Sequence, residues 1–107
     1  MGKLEWKVAI VTGAGQGLGK GVARAFAKEG AKVVIAELNP QTCEEAAKEI
    51  RQLGKECLGL VCDITDYIQV KKMVEEAVAK YGPVDILVNN AMSYTRAKPV
   101  EELEDKD

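Results

Sequence analysis

The sequence predicts an α/β fold in which helices alternate with the strands of one parallel sheet. Four short apolar runs are separated by segments with helical periodicity, which is the pattern of βαβ units. A glycine-rich segment follows the first apolar run directly, as it does where such a sheet meets a phosphate group. Right-handed crossovers between parallel strands then place the strands in the order 3-2-1-4.

The first unit begins after a short leader, residues 1–7, in which we expect Trp6 to lie against the edge of the fold. Val8–Val11 is continuously apolar, as expected of a strand that is buried on both faces. A helix is predicted from Leu18 to about Lys28. Its apolar positions are Leu18, Val22, Ala25 and Phe26, and the small residues expected to approach the sheet are Gly17, Gly21 and Ala23.

The second unit has the same organisation. Lys32–Ala36 is a predicted strand, rich in β-branched residues, that ends on Glu37. Asn39 and Pro40 are the residue types of an N-cap and a first helical position. The helix ends at Gly54, and its apolar stripe consists of Cys43, Ala46, Ala47, Ile50 and Leu53.

The third unit begins with the predicted strand Cys57–Cys62, and a fourth strand is predicted at Asp85–Asn89. The helix between them is capped by Thr65 or Asp66 and stops before Gly82. It has the clearest helical period in the chain. Its apolar positions are Val70, Met73, Val74, Ala77, Val78 and Tyr81.

The composition excludes several classes of protein. A chain of 107 residues forms one domain at most, and its net charge of −2, with 15 Lys and Arg spread among 17 Asp and Glu, disfavours a nucleic-acid partner. Three cysteines without any His argue against a metal site and favour buried, reduced thiols, which are typical of the cytoplasm. No apolar run is long enough to span a membrane. We therefore expect a cytoplasmic protein without a metal or a membrane partner.

The glycine-rich segment Thr12–Gly19, with the sequence TGAGQGLG, joins the first strand to the first helix. Glycine permits the tight turn and the close approach of the backbone to a ligand, and the helix N-terminus adds partial positive charge at the same point. We expect this loop to bind a diphosphate, although a loop without a ligand is the alternative. The residues expected at the cofactor are Gly13, Gln16, Gly17, Leu18 and Gly19.

Four features, in chain order, resemble the N-terminal portion of the short-chain dehydrogenase/reductase family. They are the loop Thr12-Gly13-x-x-x-Gly17-x-Gly19, the acidic Glu37, Asp63 after strand three, and the segment DILVNNA at 85–91. The resemblance implies a Rossmann-type doubly wound parallel sheet, cut off after its fourth strand, with the whole chain 1–107 forming part of one dinucleotide-binding domain. It further implies a parent oxidoreductase that transfers hydride between NAD and a secondary alcohol or ketone.

Glu37 is predicted to favour NAD over NADP as the cofactor. A carboxylate at the carboxyl end of strand two can accept hydrogen bonds from the hydroxyls of the adenosine ribose and would repel a 2′-phosphate. The nearby Gln16 and Leu38 are neutral, so neither supplies a cation for that phosphate. The alternative is that Glu37 is a solvated strand end.

The resemblance implies further cofactor contacts. Asp63 would bind the adenine amino group with the Ile64 amide beside it; Asp63 can also help to form the turn before the third helix, and both roles are compatible. The segment expected to pass beside the cofactor is Asn89, Asn90 and Ala91. Met92 stands where the family has Gly, so we expect an altered local geometry there.

No catalytic residue is expected in this sequence. The catalytic Ser, Tyr and Lys of the family, and its relay Asn, lie beyond the fourth strand, in a part that the sequence does not contain. Tyr94 and Lys98 have the Tyr-x-x-x-Lys spacing, but Pro99 disfavours the helix that this spacing requires. Residues 92–107 are therefore predicted to form a loop and an acidic tail.

Two functions from different classes stay open. The chain is either the cofactor-binding portion of an NAD-dependent enzyme, inactive by itself and with a substrate only in the full-length parent, or a stand-alone, non-catalytic dinucleotide-binding or interaction module. Strand four would expose an apolar edge, and only the third helix would cover one face of the sheet. We therefore expect a homo-oligomer.

Overall fold

The computed structural model describes residues 2–15 and 17–89. In this part of the chain, strands alternate with helices, and the parallel strands form one sheet in the order β3-β2-β1-β4. The elements are β1 Val8–Thr12, α1 Gly17–Lys28, β2 Lys32–Glu37, α2 Pro40–Gln52, β3 Cys57–Val61, α3 Tyr67–Tyr81 and β4 Ile86–Asn89. The predicted α/β fold with strand order 3-2-1-4 is confirmed. The predicted loop and tail at 92–107 lie outside the described residues.

Each face of the sheet carries its own core. Helices α1 and α2 pack on one face, where Ile50 joins Val33 and Ile35 of β2. Helix α3 packs on the other face, where Met73 joins Val34. Because successive side chains of a strand point to opposite faces, the continuously apolar β2 contributes to both cores.

The buried face of helix α1 is the predicted one only in part. Leu18 is 76% exposed and Ala25 also faces solvent, whereas Gly19, Ala23 and Ala27 are buried. The other two predicted apolar positions, Val22 and Phe26, are half-buried and pack against the core, as predicted. A helix that lies close to a sheet has room only for small side chains, so the predicted approach of Ala23 is confirmed, whereas the predicted burial of Leu18 and Ala25 is wrong.

The predicted close contacts of Gly17 and Gly21 with the sheet are also wrong. A Cβ added at either glycine would meet no heavy atom within 4 Å. Gly17 instead has a φ of 66°, in the left-handed region that favours glycine, because the chain turns there from the loop into α1.

Side-chain caps begin the second and third helices. Asn39 caps α2, since its Oδ1 accepts hydrogen bonds from the amides of residues 41 and 42 at 2.9 and 3.1 Å. Asp66, one of the two predicted alternatives, caps α3 in the same way. None of the three described helices is long and apolar enough to cross a membrane.

The three cysteines are free and buried, which confirms the prediction of buried thiols. Burial raises the pKa of the Cys57 thiol to about 12, so this residue stays protonated at neutral pH. A protonated, buried thiol is a poor nucleophile and a poor metal ligand, and Cys57 acts as a small apolar side chain of the core.

Trp6 does not lie against the fold as predicted, because its side chain is 83% exposed. Its φ of 74° is in the left-handed region, which directs the chain from the leader into β1. Backbone hydrogen bonds on both sides hold this turn: the Leu4 amide donates to the Glu29 carbonyl at 2.8 Å, and the Lys32 amide donates to the Lys7 carbonyl at 2.9 Å. The bonds of the backbone thus fix a conformation that points the indole to solvent.

Replacing Trp6 by glycine is expected to stabilise the protein. Left-handed backbone costs a residue with a Cβ about 1–2 kcal/mol, while glycine loses about 0.5–1 kcal/mol more backbone entropy on folding. The expected net gain in the free energy of unfolding is therefore about 0.5–1 kcal/mol. Urea unfolding followed by circular dichroism measures it, with Trp6→Ala as the control that removes the indole but keeps the strain. If the free energy of unfolding of Trp6→Gly is no higher than that of Trp6→Ala, the backbone at residue 6 is not strained.

Candidate cofactor-binding site

The loop between β1 and α1 lies at the carboxyl edge of the sheet, where it is tied to two neighbouring strands. Gly13 has a φ of 64°, and its amide donates to the Ala36 carbonyl of β2 at 2.8 Å. The hydroxyl of Thr12 donates to Oδ1 of Asn89, at the end of β4, at 3.0 Å. The loop therefore has a fixed position between the ends of β2 and β4.

The start of α1 is open to solvent beside this loop. The first N–H groups of an α-helix have no acceptor within the helix, and they carry the positive end of its dipole. The first turn of α1, which lies among the described residues, contains no acidic side chain that would compete with an anion. Gly17 and Leu18 face solvent there, while Gln16 lies outside the described residues. This end of the helix has the room and the donors that a diphosphate requires.

Glu37, at the end of β2, is in direct contact with the glycine loop. Its Oε1 accepts a hydrogen bond from the Gly15 amide at 3.1 Å, and its Oε2 accepts one from the Asn39 amide at 3.3 Å. The side chain is half-buried, whereas the neighbouring Leu38 is 63% exposed. Glu37 is therefore a bonded group beside the loop and not a freely solvated strand end.

Asp63 and Ile64 follow β3 at the same edge. The Oδ1 atom of Asp63 accepts hydrogen bonds from the hydroxyl and the amide of Thr65 at 2.7 and 2.9 Å, which hold the pKa of Asp63 below its usual range. Among the described residues, no group bonds to the second carboxylate oxygen, Oδ2, or to the Ile64 amide. Asp63 thus has the predicted role in the turn, and it also presents an acceptor beside a free donor.

Gln69, which is not among the predicted site residues, fixes this turn. Its Oε1 accepts from the Asp63 amide at 2.9 Å, and its Nε2 donates to Oδ2 of Asp66 at 3.2 Å. The spacing Asp-x-x-Gln at the start of a helix was the available signal, because it has the form of a capping box. Gln69 therefore holds in place the turn that contains Asp63 and Ile64, the two residues predicted to bind adenine.

The remaining predicted cofactor residues are only partly covered by the structure. Asn89 is described, and its side chain accepts the bond from Thr12. Asn90, Ala91 and Met92 lie outside the described residues, as do Tyr94 and Lys98. Their assigned roles stay predictions.

The loop lies at the topological switch point of the sheet, where the order in which successive strands are added reverses. The chain runs from β1 through β2 to β3 on one side, and β4 then pairs with the other side of β1. In open α/β sheets, ligands bind in the crevice outside the carboxyl ends of the strands at such a point. The sheet and its glycine loop define a Rossmann-type α/β protein.

Comparison with known proteins identifies the family. The family model described as short chain dehydrogenase matches residues 7–107, which is most of the chain. The chain belongs to the short chain dehydrogenase family. Its similarity to a 7α-hydroxysteroid dehydrogenase of Escherichia coli K12 is 44% identity over 89 residues, covering 83% of this chain and 35% of the relative. An uncharacterized oxidoreductase of Thermotoga maritima is 47% identical over 88 residues, covering 82% of this chain and 34% of the relative.

Solved structures give the same result. A 7α-hydroxysteroid dehydrogenase complexed with NADH and 7-oxo glycochenodeoxycholic acid matches with a TM-score of 0.83 and 38% identity, over 94% of this chain and 41% of that chain. A hydroxysteroid dehydrogenase from Escherichia coli matches with a TM-score of 0.79 and 43% identity, over 80% of this chain and 35% of that chain. The chain thus spans about a third of the length of the curated relatives that it matches.

Proposed function

We propose that the chain binds NAD at the carboxyl edge of its sheet, as the cofactor-binding portion of a short-chain dehydrogenase/reductase. The observation that carries this proposal is the convergence of three complementary groups at that edge. The loop after β1 offers backbone donors, the end of β2 offers the Glu37 carboxylate, and the turn after β3 offers Asp63 beside the Ile64 amide. A relative of similar structure is complexed with NADH, which supports the same cofactor here.

Each part of the dinucleotide has a chemically suitable partner. The start of α1 holds the diphosphate through the N–H groups of Gly17 to Gly19, while Gly13, whose own amide bonds to Ala36, shapes the turn in front of them. Glu37 accepts hydrogen bonds from the ribose hydroxyls. Oδ2 of Asp63 accepts from the adenine amino group, and the Ile64 amide donates to the adjacent ring nitrogen. A 2′-phosphate would place its negative charge against Glu37, so NAD is preferred over NADP.

The oxidoreductase chemistry belongs to the full-length parent. The bound dinucleotide supplies the hydride acceptor or donor, for which a secondary alcohol or ketone is the reaction partner. The relatives that act on steroids are about three times as long, and no catalytic role is assigned to any residue of this chain, Tyr94 and Lys98 included. The chain by itself therefore binds cofactor without turnover.

Gly17→Ala is expected to weaken NAD binding by about tenfold, because a Cβ strains the left-handed turn that aims the loop donors. Gly54→Ala is the matched control: its φ of 82° and its open surroundings resemble those of Gly17, but it ends α2 at a distance from the loop. Isothermal titration calorimetry measures both affinities, and NADH absorbance tests turnover of secondary alcohols. An unsubstituted chain that binds no NAD would overturn the proposed function. If the unsubstituted chain turns over a secondary alcohol and Tyr94→Phe abolishes that turnover, the prediction that the chain is inactive by itself is wrong.

A second copy of the chain is the proposed partner at β4. Among the described residues, β4 pairs only with β1 and leaves its other edge without a strand. Leu87, in the middle of β4, is 63% exposed on the side of the sheet that carries α3. In the isolated chain, such an edge pairs readily with another chain, and we propose this surface as the interface of a homo-oligomer of that chain.

A further inference from the structure

Gly15, in the glycine-rich loop, packs closely against the end of β2 and the first turn of α2. The residue is buried, and a Cβ added to it would lie 2.8 Å from Oε1 of Glu37 and 2.8 Å from Oγ1 of Thr42. Gly15 is not among the glycines with positive φ, so its backbone does not itself require glycine. The requirement for glycine comes from the close contacts with the Glu37 carboxylate and with the Thr42 hydroxyl.

The cap of α2 holds the carboxylate from the opposite side. The amide of Asn39 donates to Oε2 of Glu37 at 3.3 Å, while the amide of Gly15 donates to Oε1 at 3.1 Å. Thr42 completes the enclosure, and its hydroxyl donates to the Asn39 carbonyl at 3.3 Å. Each carboxylate oxygen thus has one protein donor, and each keeps further acceptor capacity for a ligand, since an ionised carboxylate has about four acceptor positions.

We propose that Gly15 is a positioning residue that sets the preference for NAD over NADP by orienting the Glu37 carboxylate. This inference rests on the proposed function, in which Glu37 binds the adenosine ribose. A carboxylate that is already fixed by two amides loses little freedom when the ribose binds. The same bonds hold its negative charge at the position that a 2′-phosphate would approach, which penalises NADP.

Gly15→Ala tests the proposal without disturbing the backbone. The atoms that the new Cβ meets are the ends of the Glu37 and Thr42 side chains, which can move aside. We expect NAD affinity to fall by about tenfold, the loss of one oriented charge-assisted contact, while NADP affinity stays constant or rises. The ratio of the NADP dissociation constant to the NAD dissociation constant, measured by calorimetry, should therefore fall. In a Glu37→Ala background, Gly15→Ala should change NAD affinity by less than about twofold, because the coupled group is gone.

Gly21→Ala is the matched control, since Gly21 lies on the exposed face of α1 with no heavy atom within 4 Å of an added Cβ. It should leave the ratio of the NAD and NADP dissociation constants unchanged.

A measurement without cofactor is the NMR resonance of the Asn39 amide, which should shift in Gly15→Ala and in Glu37→Gln but not in Gly21→Ala. The proposal is overturned if Gly15→Ala weakens both dinucleotides equally, if its effect persists without Glu37, or if the Asn39 resonance stays in place. Failure of the unsubstituted chain to bind either dinucleotide would instead remove the proposed function itself.

Discussion

Glu37→Ala is expected to lower NAD affinity by about 10–100-fold, since charge-assisted hydrogen bonds contribute about 1.5–3 kcal/mol. NADP affinity should rise in the same variant, because the negative charge that opposes the 2′-phosphate is removed. The preference between the two cofactors should therefore largely disappear. Competitive titration of both dinucleotides against one protein preparation measures the two affinities on the same scale.

Two control variants separate the causes of this effect. Glu37→Gln keeps an oxygen that can accept from the Gly15 amide but removes the charge, so it should relieve the penalty on NADP while retaining part of the NAD affinity. Glu45→Ala removes the same charge from an exposed site on α2 and should change neither affinity. Equal losses of both cofactors in Glu37→Ala would contradict the ribose assignment and indicate a general role in shaping the loop.

The strands follow from local sequence, and their order follows from the handedness of the connections between parallel strands. The segment Val33-Val34-Ile35 is apolar at consecutive positions, and only a strand with both faces covered buries all three residues. The glycine-rich turn and the helix caps are equally local signals, which explains the correct prediction of the Asn39 cap and of a cap at Thr65 or Asp66, of which Asp66 is the one observed. The buried face of α1 is only partly a local signal: the approach of Ala23 to the sheet was predicted, but the exposure of Leu18 depends on how the whole helix packs against the strands.

In the candidate site, too, the positions of residues at strand ends could be predicted, whereas contacts between residues distant in sequence could not. Glu37 was predicted from its position at the carboxyl end of β2, and Asp63 from the resemblance to the family; both follow strands whose carboxyl ends lie at one edge of the sheet. The contact between Gly15 and Glu37 joins residues 22 positions apart, and it depends on the side-chain conformation of Glu37. The orientation of Trp6 likewise depends on backbone bonds from the leader to α1 and β2. Such contacts between distant segments leave no periodic pattern in the sequence.

Leu87→Lys is expected to produce the largest change in assembly. The side chain is 63% exposed in an edge strand, and burying a Leu side chain in an interface contributes about 1.5–3 kcal/mol. A lysine there removes this contribution and places a charge at the edge, as natural edge strands do to prevent pairing. We expect the dissociation constant of the self-associated chain to rise by about 10–100-fold. Sedimentation equilibrium over a range of chain concentrations measures it.

The opposite edge of the sheet provides the control. Val61→Lys places the same charge at the end of β3, where Val61 is 54% exposed, and it should leave association through β4 unchanged. Val78→Lys tests whether the interface extends to α3, because Val78 is 42% exposed on a helix that covers the same face of the sheet as Leu87, and it should weaken association less than Leu87→Lys. A chain that stays monomeric at all concentrations would contradict the proposed partner. A larger effect of Val61→Lys than of Leu87→Lys would move the interface to β3, since it would show that the edge of β3, and not that of β4, pairs with the second copy.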